Sequence, residues 1–290
     1  VNTEITLDIG YLKVAAKLWG PDSGQPTIAL HGYLDNANSF DMIAPHLSDL
    51  RICAMDFAGH GLSEHRRHGE LYSGLNDIRD ILAVADQLGW KTFNVLGHSM
   101  GAEIGSQMAG LFPERVERLI CIDGYSGTNQ AKNTLDHFRS TIASSFKTGS
   151  NLKIFPTLEA MTERLSQATG QNPTSARCII ERGHAKVEGG YTWRTDPRIK
   201  GSGPFELAQD QFHDLLDRTM AETLFIVADM ENTWLKRSID LVTARDDEQM
   251  TLVSLPGHHH LHMQEHSDQV VTLINDFVRQ RPTKLLKKSA

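Results

Sequence analysis

The chain has 290 residues, of which 40% are hydrophobic and 22% charged, with a formal net charge of −7. These are values of an ordinary globular protein, and the acidic balance argues against nucleic acid or an anionic membrane as partner. Three scattered cysteines are too few for a disulfide framework, the N-terminal stretch has no apolar signal core, and no run approaches a membrane span, so a cytoplasmic protein is expected.

In chain order, "EITLDIGYLKVAAKLWG" reads as an antiparallel pair leading in. Five short apolar runs rich in branched residues follow, at 26–32, 50–56, 92–98, 118–124 and 223–229, and a sixth covers 250–256. Continuous apolar runs mark strands buried on both faces. Helical patterns fall between them. Leu75, Ile78, Ile81, Leu82 and Leu88 share one face of a helix closed by Gly89. Val270, Val271, Ile274 and Phe277 share another, with Ser267 as its expected N-cap. Strands alternating with helices predict a parallel sheet covered on both sides.

The rhythm breaks for roughly 100 residues between Ile122 and Thr223. Leu158, Met161 and Leu165 repeat at helical spacing there, as do Phe205, Ala208, Phe212 and Leu215. This predicts a helical cap over 126–215, set into a core of 1–125 and 216–290. Phe146, Phe155, Phe205 and Phe212 are candidates for an apolar pocket or for the cap's own interior.

Between the run at 92–98 and a following helix lies Gly97-His98-Ser99-Met100-Gly101. A G-x-S-x-G sequence in that context is a nucleophile elbow, a turn so tight that only glycines let neighbouring backbone pass. The serine hydroxyl is held out at the sheet edge, where the helix N-terminus also points. Serine is a poor nucleophile near neutral pH and needs a base, which in turn needs an orienting group. Base candidates cluster in "SLPGHHHLHMQEH", with five histidines at 258, 259, 260, 262 and 266. Nothing in that spacing supplies a full ligand set, so no metal is assigned.

Over nearly its whole length the chain resembles the α/β-hydrolase family, and within it the serine-hydrolase-like proteins and small capped bacterial esterases. The resemblance rests on "ALHGYLDNANSF", "DFAGHGLSEH", "GHSMG" and a terminal G-x-H-x-x-H segment. It implies the α/β-hydrolase fold, a mostly parallel eight-stranded sheet with helices on both faces and a helical cap between strands 6 and 7. Laid on "GHHHLHM", it makes His259 the base and His262 the trailing histidine, with His260 and then His258 as rivals. Backbone N–H groups of Tyr33 and Met100 are the implied oxyanion hole.

The acid departs from the common family pattern. Where many members carry aspartate after strand 7, this chain has Glu231, beside Asp229. Other members place the acid after strand 6, where Asp123 stands, and Asp123 is preferred. The implied activity is a serine carboxylesterase: Ser99 attacks, His259 takes its proton, Asp123 orients the histidine, and His98 walls the substrate pocket. Thioesterase, enol-lactonase and carbon–carbon hydrolase chemistry use the same groups, and a non-catalytic ligand binder on this fold is the remaining alternative. An ester substrate is the expected partner, with no cofactor. Asp56, Gly59, Gly61 and Ser63 are expected to shape a turn under the site, and the W-R-x-D-P-R segment at 193–198 to anchor the cap through Arg–carboxylate contacts or line the substrate entrance.

Overall fold

The computed structural model describes residues 2–127, 134–146, 153–199, 207–228, 233–244, 249–264 and 266–280. Its main sheet has eight strands: β1 (Thr3–Asp8), β2 (Lys13–Trp19), β3 (Gln25–Leu30), β4 (Leu50–Met55), β5 (Phe93–His98), β6 (Val116–Ile122), β9 (Glu222–Ala228) and β10 (Met250–Leu255). The order is β1-β2-β4-β3-β5-β6-β9-β10. β1–β2 and β2–β4 pair antiparallel and every other neighbour pair is parallel.

The continuous apolar runs serve two cores in alternation. Val95, Leu119, Cys121, Phe225 and Val227 face one layer, and Leu96, Ile120, Ile122, Leu224 and Ile226 the other. The first layer is covered by α1 (Gly74–Gln87), α2 (Met100–Leu111), α6 (Gln209–Arg218) and α7 (Thr233–Thr243). The second is covered by the 37–47 segment and α8 (Ser267–Arg279). Among the described residues no helix is long and apolar enough to cross a membrane.

The insertion after β6 contains α3 (Thr134–Ser145), α4 (Leu158–Thr169) and α5 (Pro173–Gly183). It also holds a hairpin absent from the helical expectation, β7 (His184–Val187) with β8 (Gly190–Trp193). Its turn uses Gly189 and Gly190 at φ +83° and +143°, and a Cβ on Gly190 would lie 2.1 Å from the carbonyl oxygen of Phe155. Phe155, Met161 and Ile180 form a small separate core.

The expected boundary at 215 and 216 needs correction. It cuts through α6, whose Phe212, Leu215 and Leu216 are buried in the main core. Gly110 of α2 admits this contact, since a Cβ there would lie 2.6 Å from Leu215 Cδ1. Phe212 thus serves the core, Phe155 the cap, Phe146 is exposed, and Phe205 lies outside the described residues. Ser267, expected as the N-cap of α8, is its first residue, and the N-cap is His266, whose side chain makes no capping bond.

Candidate active site

Ser99 stands between β5 and α2 at φ +51°, ψ −122°, a conformation that non-glycine residues rarely adopt. Three glycines make the turn feasible. A Cβ on Gly97 would lie 2.4 Å from Ala102 Cα, one on Gly101 2.1 Å from the Leu30 carbonyl oxygen, and one on Gly124 2.3 Å from the Ser99 carbonyl oxygen. Real Cβ atoms do not approach so closely, so the elbow is wedged between β3 and the end of β6 by backbone alone. The Ser99 N–H donates to the Ile122 carbonyl at 3.0 Å, tying the turn to β6.

Asp123 follows β6 and also has positive φ, +45°. Its N–H donates to Ile226 O at 2.7 Å, and its Oδ1 accepts from the Ala228 N–H at 2.8 Å. The carboxylate is fully buried, and its Oδ2 lies 2.5 Å from His259 Nδ1. His259 Nε2 lies 2.8 Å from Ser99 Oγ. The structure therefore brings Ser99, His259 and Asp123 into one hydrogen-bonded line. Nδ1–H donates to the carboxylate, which leaves Nε2 as the acceptor for the serine hydroxyl. Glu231 and Asp229 lie outside the described residues.

The rival histidines go elsewhere. His258 is exposed. His262 is buried with Nε2 2.9 Å from Ser39 Oγ, and burial pushes its pKa well below the usual range. His260 is buried 3.5 Å from Asp35 Oδ2. His98 lines the cavity, yet its ring is fully buried and its Nε2 lies 2.9 Å from the His259 carbonyl oxygen. It therefore holds the loop that carries His259, a role beyond that of a pocket wall.

Ser99 and His259 open onto a cavity of about 640 Å³, within the range of small-molecule sites, with Asp123 buried behind them. Gly32, Tyr33 and Leu34 form one side; Phe155, Leu165 and Trp193 of the cap form the roof, and Lys153 and Arg164 also line it. Met100 opens α2, so its N–H is one of those a helix leaves without an internal acceptor. Tyr33, on the loop after β3, lines the same cavity as Ser99.

Beneath the site, Asp56 accepts from the N–H groups of Ala37 and Leu62, both at 2.7 Å, and Ser63 Oγ donates to the Asp56 carbonyl. The sequence reading missed the third partner. Arg182 of α5 places Nε 2.8 Å from Asp56 Oδ2 and Nη1 2.8 Å from Glu4 Oε1. Burial raises the Asp56 carboxyl and Arg182 opposes that rise. The Arg–carboxylate pair expected to anchor the 193–198 segment is internal to it, and its ties to the core include hydrogen bonds from Tyr72 to Asp196 and from Arg198 to the carbonyls of Arg66 and Arg67. Arg198 pairs with Asp196 at 2.6 Å and Tyr72 donates to Asp196 at 2.7 Å, while Trp193, Asp196 and Pro197 line the cavity.

A sequence profile described as the alpha/beta hydrolase fold matches residues 26–265. A serine hydrolase-like protein of Dictyostelium discoideum is 35% identical over 91% of this chain and 78% of its own. Serine hydrolase-like protein 2 of Homo sapiens is 30% identical over 96% of this chain and 94% of its own. The crystal structure of a hypothetical protein from Pseudomonas aeruginosa, 35% identical, superposes with a TM-score of 0.85 over 96% of this chain and 99% of that one.

Proposed function

The chain belongs to the α/β-hydrolase family, and on that premise we propose that it is a serine carboxylesterase working through an acyl-enzyme. One observation carries the reading: Ser99 Oγ lies 2.8 Å from His259 Nε2 at the floor of a cavity with a largely apolar lining. An imidazole so placed takes the hydroxyl proton as the oxygen attacks an ester carbonyl, and returns it to the leaving alcohol. Asp123, fixed by the Ala228 N–H, holds the ring in the required tautomer and offsets the imidazolium charge. The N–H groups of Met100 and Tyr33 receive the oxyanion, each worth on the order of 10²–10³ in rate. Water then enters by the same steps and releases the acid.

Thioester cleavage is the second reading. Lys153 and Arg164 put two cations against the cavity, a feature suited to a phosphorylated carrier on the leaving group. The cytoplasm is the compartment assigned, supported by three free cysteines, two of them buried.

The test is labelling by a fluorophosphonate probe together with turnover of p-nitrophenyl esters of graded acyl length and of an acyl thioester. Ser99→Ala is expected to abolish labelling and to cut turnover by about 10⁶. A folded Ser99→Ala protein that still hydrolyses esters at the parent rate removes the assignment. A chain that neither labels nor turns over any of these substrates is a binder.

A further inference from the structure

Behind the Ser99–His259–Asp123 line lies a second group of polar side chains that the hydrolytic chemistry does not use. Asp35 sits on the loop after β3, His98 ends β5, and His260 follows His259; all three are buried. One ligand atom of each, Asp35 Oδ2, His98 Nδ1 and His260 Nε2, lies within 4.8 Å of the other two. Asp35 Oδ2 is 3.6 Å from His98 Nδ1 and 3.5 Å from His260 Nε2. Among the described residues, neither Asp35 Oδ2 nor His98 Nδ1 has a hydrogen-bond partner.

The protonation pattern makes this arrangement costly as it stands. A carbonyl oxygen only accepts, so His98 Nε2, 2.9 Å from the His259 carbonyl, carries the hydrogen. In the neutral ring that tautomer puts the lone pair on Nδ1, 3.6 Å from Asp35 Oδ2. The carboxylate oxygen Asp35 Oδ2 is likewise an acceptor with no hydrogen-bond partner among the described residues. Two buried acceptors therefore face each other across 3.6 Å. Buried acceptors without a donor are destabilising, and a cation between them removes the penalty.

We propose that Asp35, His98 and His260 form a binding site for a divalent transition-metal ion of the zinc type. Zinc bonds to nitrogen and carboxylate oxygen of about 2.0–2.2 Å set two ligands of a tetrahedral ion about 3.3–3.6 Å apart. Both Asp35 contacts have that spacing. Two imidazoles and one carboxylate suit zinc, cobalt or nickel and do not suit calcium or magnesium, which take oxygen ligands. The His98 N–H bond to the His259 carbonyl is the outer bond that normally fixes the tautomer of a ligating histidine. Gly32 keeps the space clear, since a Cβ there would intrude to 2.9 Å from His98 Nδ1 and 3.0 Å from Asp35 Oδ2. All three ligands line the cavity, which leaves a fourth position for water or a substrate group. The histidine-rich segment alone did not reveal this site because it supplies only one ligand; the other two come from β5 and the loop after β3.

The ion would also sit close to the base. The rings of His98 and His260 lie 4.8 and 5.1 Å, centroid to centroid, from that of His259. Its charge opposes the positive charge that His259 gains in taking the Ser99 proton, so occupancy slows turnover.

The experiment titrates the chelator-treated full chain with Zn²⁺ by calorimetry, and with Co²⁺ followed by its visible absorption. One ion per chain at micromolar or tighter dissociation constant is expected, with the cobalt spectrum of a four-coordinate site. His260→Gln and Asp35→Asn should each weaken binding on the order of a hundredfold or more, with unchanged circular dichroism. His258→Gln, an exposed neighbour in the same segment, should leave it intact. Three outcomes overturn the proposal: no binding below millimolar metal, undiminished binding in both His260→Gln and Asp35→Asn, or loss of binding in His259→Gln alone. Because the readout is binding, it stands apart from whether Ser99 turns over esters.

Discussion

Around Ser99 the backbone itself is the clamp, with Cβ-sized gaps closed at Gly97, Gly101 and Gly124; the cap meets the core through side-chain ion pairs and hydrogen bonds instead. Arg182 bridges Asp56 and Glu4, and Asp196 holds Arg198 and Tyr72. The cap's own apolar core is small, centred on Phe155, Met161 and Ile180, while two extended cores flank the sheet. Close backbone packing fixes the nucleophile against displacement. The roof instead hangs on a few discrete side-chain contacts, so a single substitution can loosen it.

The largest effect that sharpens this contrast is Asp123→Asn. The amide keeps the shape and can keep the Ala228 bond, but it no longer demands a proton on His259 Nδ1. The fold should survive while kcat falls by about 10⁴, equivalent to about 5.5 kcal/mol. Glu231→Gln, at the family's commoner acid position, should change turnover little. Paired kinetics of the two variants check this, and a larger loss in Glu231→Gln moves the acid to the segment that follows β9.

How far the sequence disclosed each region follows from the same physics. The core strands were legible because burial on both faces writes continuous apolar runs, and the elbow because glycine is required where backbone passes backbone. The acid was ambiguous: what distinguishes Asp123 is a left-handed backbone conformation and a bond to Ala228, neither of which is written in residue spacing. The cap hairpin was missed because its strands have four residues each and only Gly189-Gly190 marks its turn. Arg182 and Asp35 were missed because their partners are remote in sequence and carry no motif.

Arg182→Met tests the cap side. Arg182 and Asp56 are both nearly inaccessible to solvent, so removing the guanidinium leaves a buried carboxylate without its cation. That should cost about 3–5 kcal/mol. Urea denaturation measures the total, and hydrogen exchange locates it: amides of α5 and the 193–198 segment should lose protection before those of β5. Equal loss in both regions would mean that Arg182 supports the whole fold and that the contrast between floor and roof fails.

The smallest expected effect concerns the floor and comes from acid. His31 and His60 are buried beside β3 and β4, and burial pushes them down to about 4 and about 3. His31 is held neutral by geometry as well: Nδ1–H donates to Gly32 O at 2.8 Å, and Nε2 accepts the Phe57 N–H at 3.1 Å. A histidine whose folded pKa lies below its unfolded value of about 6.5 leaves stability unaffected above that pH. Below it the unfolded chain binds protons that the folded chain refuses. Stability is therefore lost as pH falls from about 6.5 toward the folded values, by about 1.4 kcal/mol per histidine at pH 5.5. The urea midpoint should drop between pH 7.5 and 5.5. His60→Gln should recover about 1.4 kcal/mol of that drop without affecting the midpoint's pH dependence above 7. A full drop retained in His60→Gln would assign the acid sensitivity to other groups.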